Sequence, residues 1–181
     1  MNGAKYVILK CMKLIHLGGV MKKIIIIGCP GSGKSTFARS LSAKTGLPVY
    51  YLDMIYHKPD RTTVTREEFD EKLSEIINKD QWIIDGNYMR TMSVRIDNAD
   101  TIFWLDYPVE ICLQGIGERF GKPRPDMPWV EVEYDSEFIK FIKEFNTESK
   151  PKILSLLNAT QGKQIHIFKS RQEQDDFINN I

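Results

Sequence analysis

The sequence predicts an α/β fold in which a parallel five-stranded sheet is flanked by helices. Five short apolar runs rich in β-branched or aromatic residues alternate with segments whose apolar residues recur at helical spacing. A glycine-rich segment joins the first of these runs to the first helical segment. The chain has 181 residues, which is enough for one such domain with a sizeable core.

The glycine-rich segment fits the phosphate-loop pattern G-x-x-x-x-G-K-[ST] and extends from Gly28 to Ser35. Residues 23–27 before it form an apolar run typical of a buried parallel strand, and residues 36–44 after it have helical spacing. Glycines let the backbone curl around an anion, and the helix adds its partial positive charge. We predict a nucleotide phosphate site; the alternative is a glycine-rich turn that matches by chance.

The chemistry of this loop assigns a role to each polar side chain. The Lys34 ammonium is expected to reach the β- and γ-phosphates of ATP, and the Ser35 hydroxyl to ligate Mg²⁺. The residues expected to contact ATP are Gly28, Pro30, Gly31, Ser32, Gly33, Lys34, Ser35 and Thr36.

Asp53 follows the second predicted strand, residues 49–52. Ligands of open parallel sheets gather at the carboxyl ends of the strands. Asp53 is therefore predicted to position an acceptor hydroxyl or to act as its base, the alternatives being an exposed loop acid or a helix N-cap. Residues 54–65 resemble a loop, and Thr65 with Glu68 has the pattern of a capping box.

Asp85 follows the third predicted strand, residues 81–84, and opens the turn Asp85-Gly86-Asn87-Tyr88. An acid at this position beside a phosphate loop can hold Mg²⁺, directly or through water. The alternative is an ordinary Asp-Gly turn. Arg90 and Arg95 come next, and each either pairs with a phosphate or only caps and solvates its helix.

A basic, proline-rich loop follows the fourth strand, residues 101–105, and the helix predicted over 110–120. Asp106, at the end of that strand, is expected to be structural. Prolines at 123, 125 and 128 and Gly121 exclude regular structure, and the same segment contains Arg119 and Arg124. We predict a lid near 119–130 whose arginines stabilise a transferring phosphoryl group. The alternative is a solvated loop.

The last part of the chain predicts helices over 137–145 and 152–157, a fifth strand over 164–168 and a closing helix over 172–180. Arg171 lies in the loop after that strand. We expect this loop to contact the base of the nucleotide, with Arg171 stacking on a purine. The residue pattern does not distinguish adenine from guanine.

Composition limits the classes of partner. The formal net charge is +1, so there is no general attraction to nucleic acid or to anionic membranes, and direct DNA binding is not favoured. The spacing of Cys11, Cys29 and Cys112 indicates neither a zinc site nor a disulfide framework. We expect a cytoplasmic protein. Cys29, at a helix N-terminus, is expected to have a lowered pKa and to oxidise readily.

Residues 1–20 precede the first convincing strand. Lys5, Lys10 and Lys13 interrupt their apolar residues, so no membrane-spanning helix is predicted there. We expect a poorly ordered N-terminal extension followed by one domain over 21–181. The alternative is a short amphipathic surface helix.

Taken together, the phosphate loop, the Asp-Gly-Asn-Tyr turn and the segment Arg124-Pro125-Asp126-Met127 resemble the bacterial topology-modulation (FlaR-like) proteins, which are P-loop proteins akin to adenylate and shikimate kinases. The resemblance runs from Met21 to the end. It implies a three-layer P-loop NTPase fold with strand order 2-3-1-4-5, an acceptor region near Asp53 and Asp85, and a lid around Arg119 and Arg124.

Two features depart from these relatives. Adenylate kinases follow Asp-Gly with Phe-Pro-Arg, whereas this chain has Asn87-Tyr88-Met89, which does not favour AMP as the acceptor. The helix before the lid has few cations, whereas relatives have many arginines there.

Three functions remain open. The first is a kinase that transfers the γ-phosphate of ATP to a nucleotide or small molecule. The second is an ATP-dependent regulatory switch that affects DNA topology. The third is a nucleotide-binding remnant with little turnover, which the cation-poor helix suggests.

Overall fold

A computed structural model describes residues 21–133 and 135–181. The expectation for residues 1–20 therefore lies outside the described residues. The fold is an α/β structure built on one parallel sheet in the order β2-β3-β1-β4-β5, which confirms the predicted order. The strands are β1 (Lys23–Gly28), β2 (Val49–Tyr51), β3 (Trp82–Asp85), β4 (Thr101–Leu105) and β5 (Gln164–Phe168).

Helices flank this sheet and connect its strands. They are α1 (Lys34–Thr45), α2 (Leu52–Tyr56), α3 (Arg66–Ile77), α4 (Met92–Asn98), α5 (Val109–Arg119), α6 (Ser136–Glu148), α7 (Lys150–Ala159) and α8 (Arg171–Asn179). Helix α2 was not predicted, because five residues are too few to show a helical period. A single 3-10 turn, Met89–Thr91, precedes α4.

The core surrounds the two central strands. The four isoleucines of β1 are fully buried, as is nearly every side chain of β4. This burial explains the unbroken apolar runs, since helices on both faces of a parallel sheet leave neither face to water. Phe37 of α1 packs edge-on against Phe103 of β4, with ring centroids 5.0 Å apart.

Two local predictions are confirmed. Thr65 caps α3: its hydroxyl accepts from the Glu68 amide at 3.1 Å, and its own amide donates to the Glu68 carboxylate at 2.8 Å. Asp106 is structural, because its nearly buried carboxylate pairs with Lys150 at 2.8 Å and with Lys169.

The strand register positions the site. Asp85, the last residue of β3, lies beside Ile26 of β1 and Tyr51 of β2. The carboxyl ends of these three strands therefore open at one edge of the sheet, where the phosphate loop leaves β1. In the part of the chain that the structure describes, no helix is long and apolar enough to cross a bilayer.

Candidate functional site

The phosphate loop is pressed directly against helix α5. Gly31 has a φ of 82°, and a Cβ atom added there would lie 2.0 Å from the Cys112 carbonyl oxygen. From the other side, a Cβ on Gly115 would lie 2.1 Å from the Gly31 carbonyl oxygen. Only glycine permits this approach of two backbones. The sequence pattern did not predict this contact, because Gly31 and Gly115 lie far apart in the chain.

Lys34 and Ser35 leave the loop in the first turn of α1. The Lys34 ammonium donates to the carbonyl oxygens of Gly28 and Cys29, each at 3.0 Å. The Ser35 hydroxyl donates to Asp85 Oδ2 at 2.6 Å. The motif and the acid of the neighbouring strand therefore meet, although they lie 50 residues apart in the chain.

Asp85 is a buried carboxyl group, and one of its two oxygens has no hydrogen-bond partner among the described residues. Burial raises its pKa to about 6, and Lys34 and Ser35 oppose that shift. Its Oδ1 atom and the Ser32 hydroxyl are both buried and find no hydrogen-bond partner among the described residues. A carboxylate oxygen and a hydroxyl beside a phosphate loop are ligands that suit Mg²⁺.

The residues present therefore fit magnesium held jointly with a nucleotide. Within residues 21–133 and 135–181, no cluster of three or more His, Cys, Asp or Glu side chains could hold a metal ion. That finding is compatible with magnesium, because Mg²⁺ is usually held by one or two carboxylates together with substrate phosphates and water.

Asn87 binds the backbone at the start of the phosphate loop. Its Oδ1 atom accepts from the Gly28 amide at 3.0 Å, and its Nδ2 atom donates to the Gly28 carbonyl at 2.7 Å. This amide thus connects the turn after β3 to the end of β1. Sequence reasoning missed it. Its place directly after Asp-Gly was the one available signal.

Arg95 lies fully buried beneath the same turn. Its guanidinium donates to the carbonyl oxygens of Gly86 at 2.7 Å, of Asn87, and of Tyr88 at 3.0 Å. Burial lowers its pKa to about 10. Arg95 therefore supports the turn. Arg90 pairs with Asp70 on the surface at 2.6 Å, so the two arginines have different environments.

Tyr88 connects this turn to Asp53. Its hydroxyl donates to Asp53 Oδ1 at 2.8 Å, and its ring stacks on Phe69 with centroids 5.2 Å apart. Burial, followed by the charge of Asp53, raises the pKa of Tyr88, so the hydroxyl stays a donor at neutral pH. Asp53 itself lies in the first turn of α2.

Of the predicted lid arginines, Arg119 is the last residue of α5, and Arg124 lies in the segment between α5 and α6. Arg119 Nε lies 3.1 Å from the Glu131 carboxylate. Arg124 pairs with Asp126 at 2.8 Å and with Glu131 at 3.2 Å. Burial lowers the pKa of Arg119. Both guanidinium groups are therefore held by carboxylates of their own segment.

One open cleft of about 760 Å³ brings most of these side chains together. Its lining includes Pro30, Lys34, Ser35, Asp53, Asp85, Arg119 and Arg124. Gly28 ends β1, and Gly31, Ser32 and Gly33 lie in the loop that follows it. Thr36 lies in α1, where its hydroxyl accepts from Arg39 at 3.1 Å.

Arg171 is separate from the cleft lining. It begins α8, and its guanidinium lies 3.5 Å from the Glu118 carboxylate of α5. The Arg171 guanidinium also lies near the contact between the phosphate loop and α5, because a Cβ atom added to Gly115 would lie 3.4 Å from its Nη2 atom. The predicted stacking on a purine remains a proposal.

The expectation for Cys29 is wrong. The thiol is buried and hydrogen-bonded to Cys112, and these two effects raise the pKa of Cys29. The helix N-terminus alone would favour the thiolate, but a neighbouring thiol and a dry environment disfavour charge on Cys29.

Comparison with solved structures identifies the fold. The shikimate kinase of Acinetobacter baumannii, solved with shikimate, superimposes with a TM-score of 0.60 at 15% identity, covering 88% of this chain and 90% of that one. The fold is that of P-loop kinases. A gluconokinase of Sinorhizobium meliloti gives 0.54 at 13% identity, covering 88% and 89%. A shikimate kinase of Bacteroides thetaiotaomicron gives 0.58 at 16% identity, covering 88% and 95%.

No protein-family model matches the chain, and no curated protein matches it. The P-loop kinase fold of this chain therefore rests on its architecture. Its sheet order, its phosphate loop and the loop's contact with α5 are properties of the chain itself.

Proposed function

We propose that this protein is an ATP-dependent kinase that transfers the γ-phosphate to a hydroxyl group of a small acceptor. The observation that carries the proposal is the shared cleft, which contains the phosphate-loop Lys34, the Ser35–Asp85 pair and Asp53 together. The kinase neighbours support it at the level of the fold.

The proposed roles follow from the contacts. Lys34 exchanges its two loop carbonyls for phosphate oxygens, and Ser35 with Asp85 holds Mg²⁺. When bound, magnesium neutralises the charge that develops on the phosphates. Arg119 and Arg124 are close enough to the cleft to exchange their carboxylate partners for the transferring phosphoryl group.

We propose that Asp53 binds the hydroxyl group of the acceptor molecule. Tyr88 donates to one of the Asp53 carboxylate oxygens, and the other has no hydrogen-bond partner within residues 21–133 and 135–181, so it is available to accept from an acceptor hydroxyl. In the reaction, the acceptor oxygen bonds to the γ-phosphorus, the bond from that phosphorus to ADP breaks, and the hydroxyl proton passes to Asp53. Most of the rate enhancement comes from positioning and charge stabilisation.

The test is Lys34→Ala, measured by ADP release against a panel of alcohols with Mg²⁺ present. We expect turnover to fall by at least about a hundredfold, as for loss of one preorganised charge-stabilising group, with the circular dichroism spectrum unchanged. Unchanged turnover in a folded variant would refute the proposal. Tight ATP binding with no acceptor stimulation would favour the regulatory switch or the remnant instead.

The finer assignments are also proposals. The topology-modulation resemblance and the domain over 21–181 with a lid near 119–130 rest on the motifs, and the cytoplasmic location rests on the cysteine spacing. The net charge of +1 supports the proposal that any effect on DNA is indirect.

A further inference from the structure

We propose that the acceptor is an alcohol that carries an amine or no charge, and no phosphate or carboxylate group. The inference rests on the proposed kinase function and concerns the acceptor end of the same cleft. It follows from the small number of cations that line the cleft and from the carboxylates with which the two lid arginines already pair.

Carboxylates outnumber cations among the described residues that line the cleft. The acids are Asp53, Asp85, Asp126, Glu131, Glu133 and Asp135. The cations are Lys34, Arg61, Arg119 and Arg124. An anionic acceptor would therefore enter a cleft with surplus negative charge, and it would do so beside the anionic magnesium complex of ATP.

The two lid arginines do not change this balance. Arg119 is held by Glu131, and Arg124 by Asp126 and Glu131. If both guanidinium groups move to the phosphates of ATP, the carboxylates that they leave lose their partners and still line the cleft. In either arrangement, the acceptor end gains no unpaired positive charge, and repulsion disfavours an acceptor phosphate.

The acceptor end combines an acid with aromatic faces. Asp53 has one oxygen beyond its bond to Tyr88. The His57 ring lies edge-on to Trp129, with centroids 4.9 Å apart, and both residues line the cleft. Burial lowers the pKa of His57, so this imidazole is neutral at pH 7. A carboxylate beside aromatic rings suits an ammonium group or the apolar body of an alcohol.

Two lining cations, Lys34 and Arg61, form no ion pair with a described residue, and Lys34 is already bound to the phosphate loop, so Arg61 is the cation to consider at the acceptor end. It sits on the exposed turn after α2, in a left-handed conformation with a φ of 66°. One exposed guanidinium at the edge of the cleft provides less than the converging arginines that bind a phosphate. Recognition of an anion by Arg61 is the alternative that the test must detect.

The first experiment compares related acceptors in which one member of each pair is anionic and the other is neutral or carries an amine. ADP release is measured with ethanolamine against glycolate, glucose against gluconate, and a nucleoside against its 5′-monophosphate. In every pair that supports turnover, we expect kcat/KM for the amine or neutral member to be at least tenfold higher. A higher value for the anionic member of any pair would overturn the proposal.

The second experiment does not require the natural acceptor. The protein is loaded with Mg²⁺ and a non-hydrolysable ATP analogue, and its tryptophan fluorescence is followed. Trp129 lines the cleft, whereas Trp82 and Trp104 are fully buried in the core, so we assign a change on acceptor binding to Trp129. Ethanolammonium or inorganic phosphate is added at matched ionic strength. We expect a saturable response to the amine alone, lost in Asp53→Asn and retained in Arg61→Gln.

The outcomes separate the two proposals. Saturable phosphate binding that Arg61→Gln abolishes would overturn the acceptor class, and so would the absence of any response to the amine in a protein that binds the analogue. Failure of the analogue to bind would instead refute the kinase function on which the inference depends.

Discussion

At the scale of single residues, the site depends on a carboxyl group that is costly to ionise. Asp85 is almost fully buried, and its negative charge is stabilised by the ammonium of Lys34 and by a hydrogen bond from the Ser35 hydroxyl. A buried charge of this kind is stable when a cation shares it. The metal-free protein therefore carries a local cost that magnesium would remove.

This cost predicts a pH dependence of stability. The pKa of Asp85 rises from 3.8 to about 6 on folding, so the native state binds more protons between these values and its stability falls as pH rises through them. Relative to Asp85→Asn, the wild type should lose about 2 kcal/mol between pH 4 and pH 7. Urea unfolding in EDTA measures it. A constant difference across this range would contradict the assignment.

Asn87 gives a second prediction at this scale. In Asn87→Asp, the atom facing the Gly28 carbonyl is an acceptor instead of a donor, so one hydrogen bond is replaced by repulsion. We expect unfolding to become easier by about 1–3 kcal/mol, with weaker binding of Mg·ATP. Asn98→Asp, on an exposed helix end, is the control and should change either property little. Equal effects of the two substitutions would refute a special role for Asn87.

At the scale of elements, the contact between the phosphate loop and α5 is the one that sequence reasoning could not see. The loop backbone and the helix backbone touch at Gly31 and Gly115, with the Cys29–Cys112 thiol pair beside them. Helix α5 therefore packs directly against the backbone of the phosphate loop.

Alanine substitutions at the two glycines of α5 test this contact, because we expect them to change stability in opposite directions. Gly115→Ala should destabilise the protein by about 1–3 kcal/mol through overpacking and should weaken ATP binding. Gly117→Ala has nothing within 4 Å of its Cβ and should stabilise the helix by about 1 kcal/mol. Thermal unfolding and ATP titration of both variants decide. Stabilisation by both would mean that the loop and helix separate freely.

At the scale of the whole molecule, one buried guanidinium connects the parts of the site. Arg95 of α4 holds the carbonyl groups of residues 86–88. The side chains of that turn reach Gly28 on one side and Asp53 on the other. Asp85, the phosphate loop and Asp53, for which metal binding, phosphate binding and acceptor binding are proposed, are therefore connected by one short turn.

Arg95→Met should cost more stability than any surface change. It leaves carbonyl groups buried without donors, and we expect a loss of about 3 kcal/mol or more in the free energy of unfolding. Arg90→Met removes an exposed pair with Asp70 and should cost under about 1 kcal/mol. Chemical unfolding of both variants measures the difference. Similar losses would show that the turn does not depend on Arg95.

Local patterns in the sequence were enough to predict much of the fold. The five strands, the phosphate loop and the capping box of α3 depend on residues that are near neighbours in the chain. Strand order was predicted through a resemblance and is confirmed. Asp53 and Asp85 were placed at strand ends by the general geometry of parallel sheets, and the structure brings both to the cleft.

The remaining features required the tertiary structure. Asn87 meets Gly28 across 59 residues, and Gly31 meets Gly115 across the loop and helix. Arg95 is buried and the lid arginines are paired with acids because of their neighbours in space. Local periodicity was therefore sufficient to predict which segments form strands, most of the helices and the phosphate loop. Which polar groups find partners within the protein and which are left for a ligand could not be predicted, because that depends on contacts between segments far apart in the chain.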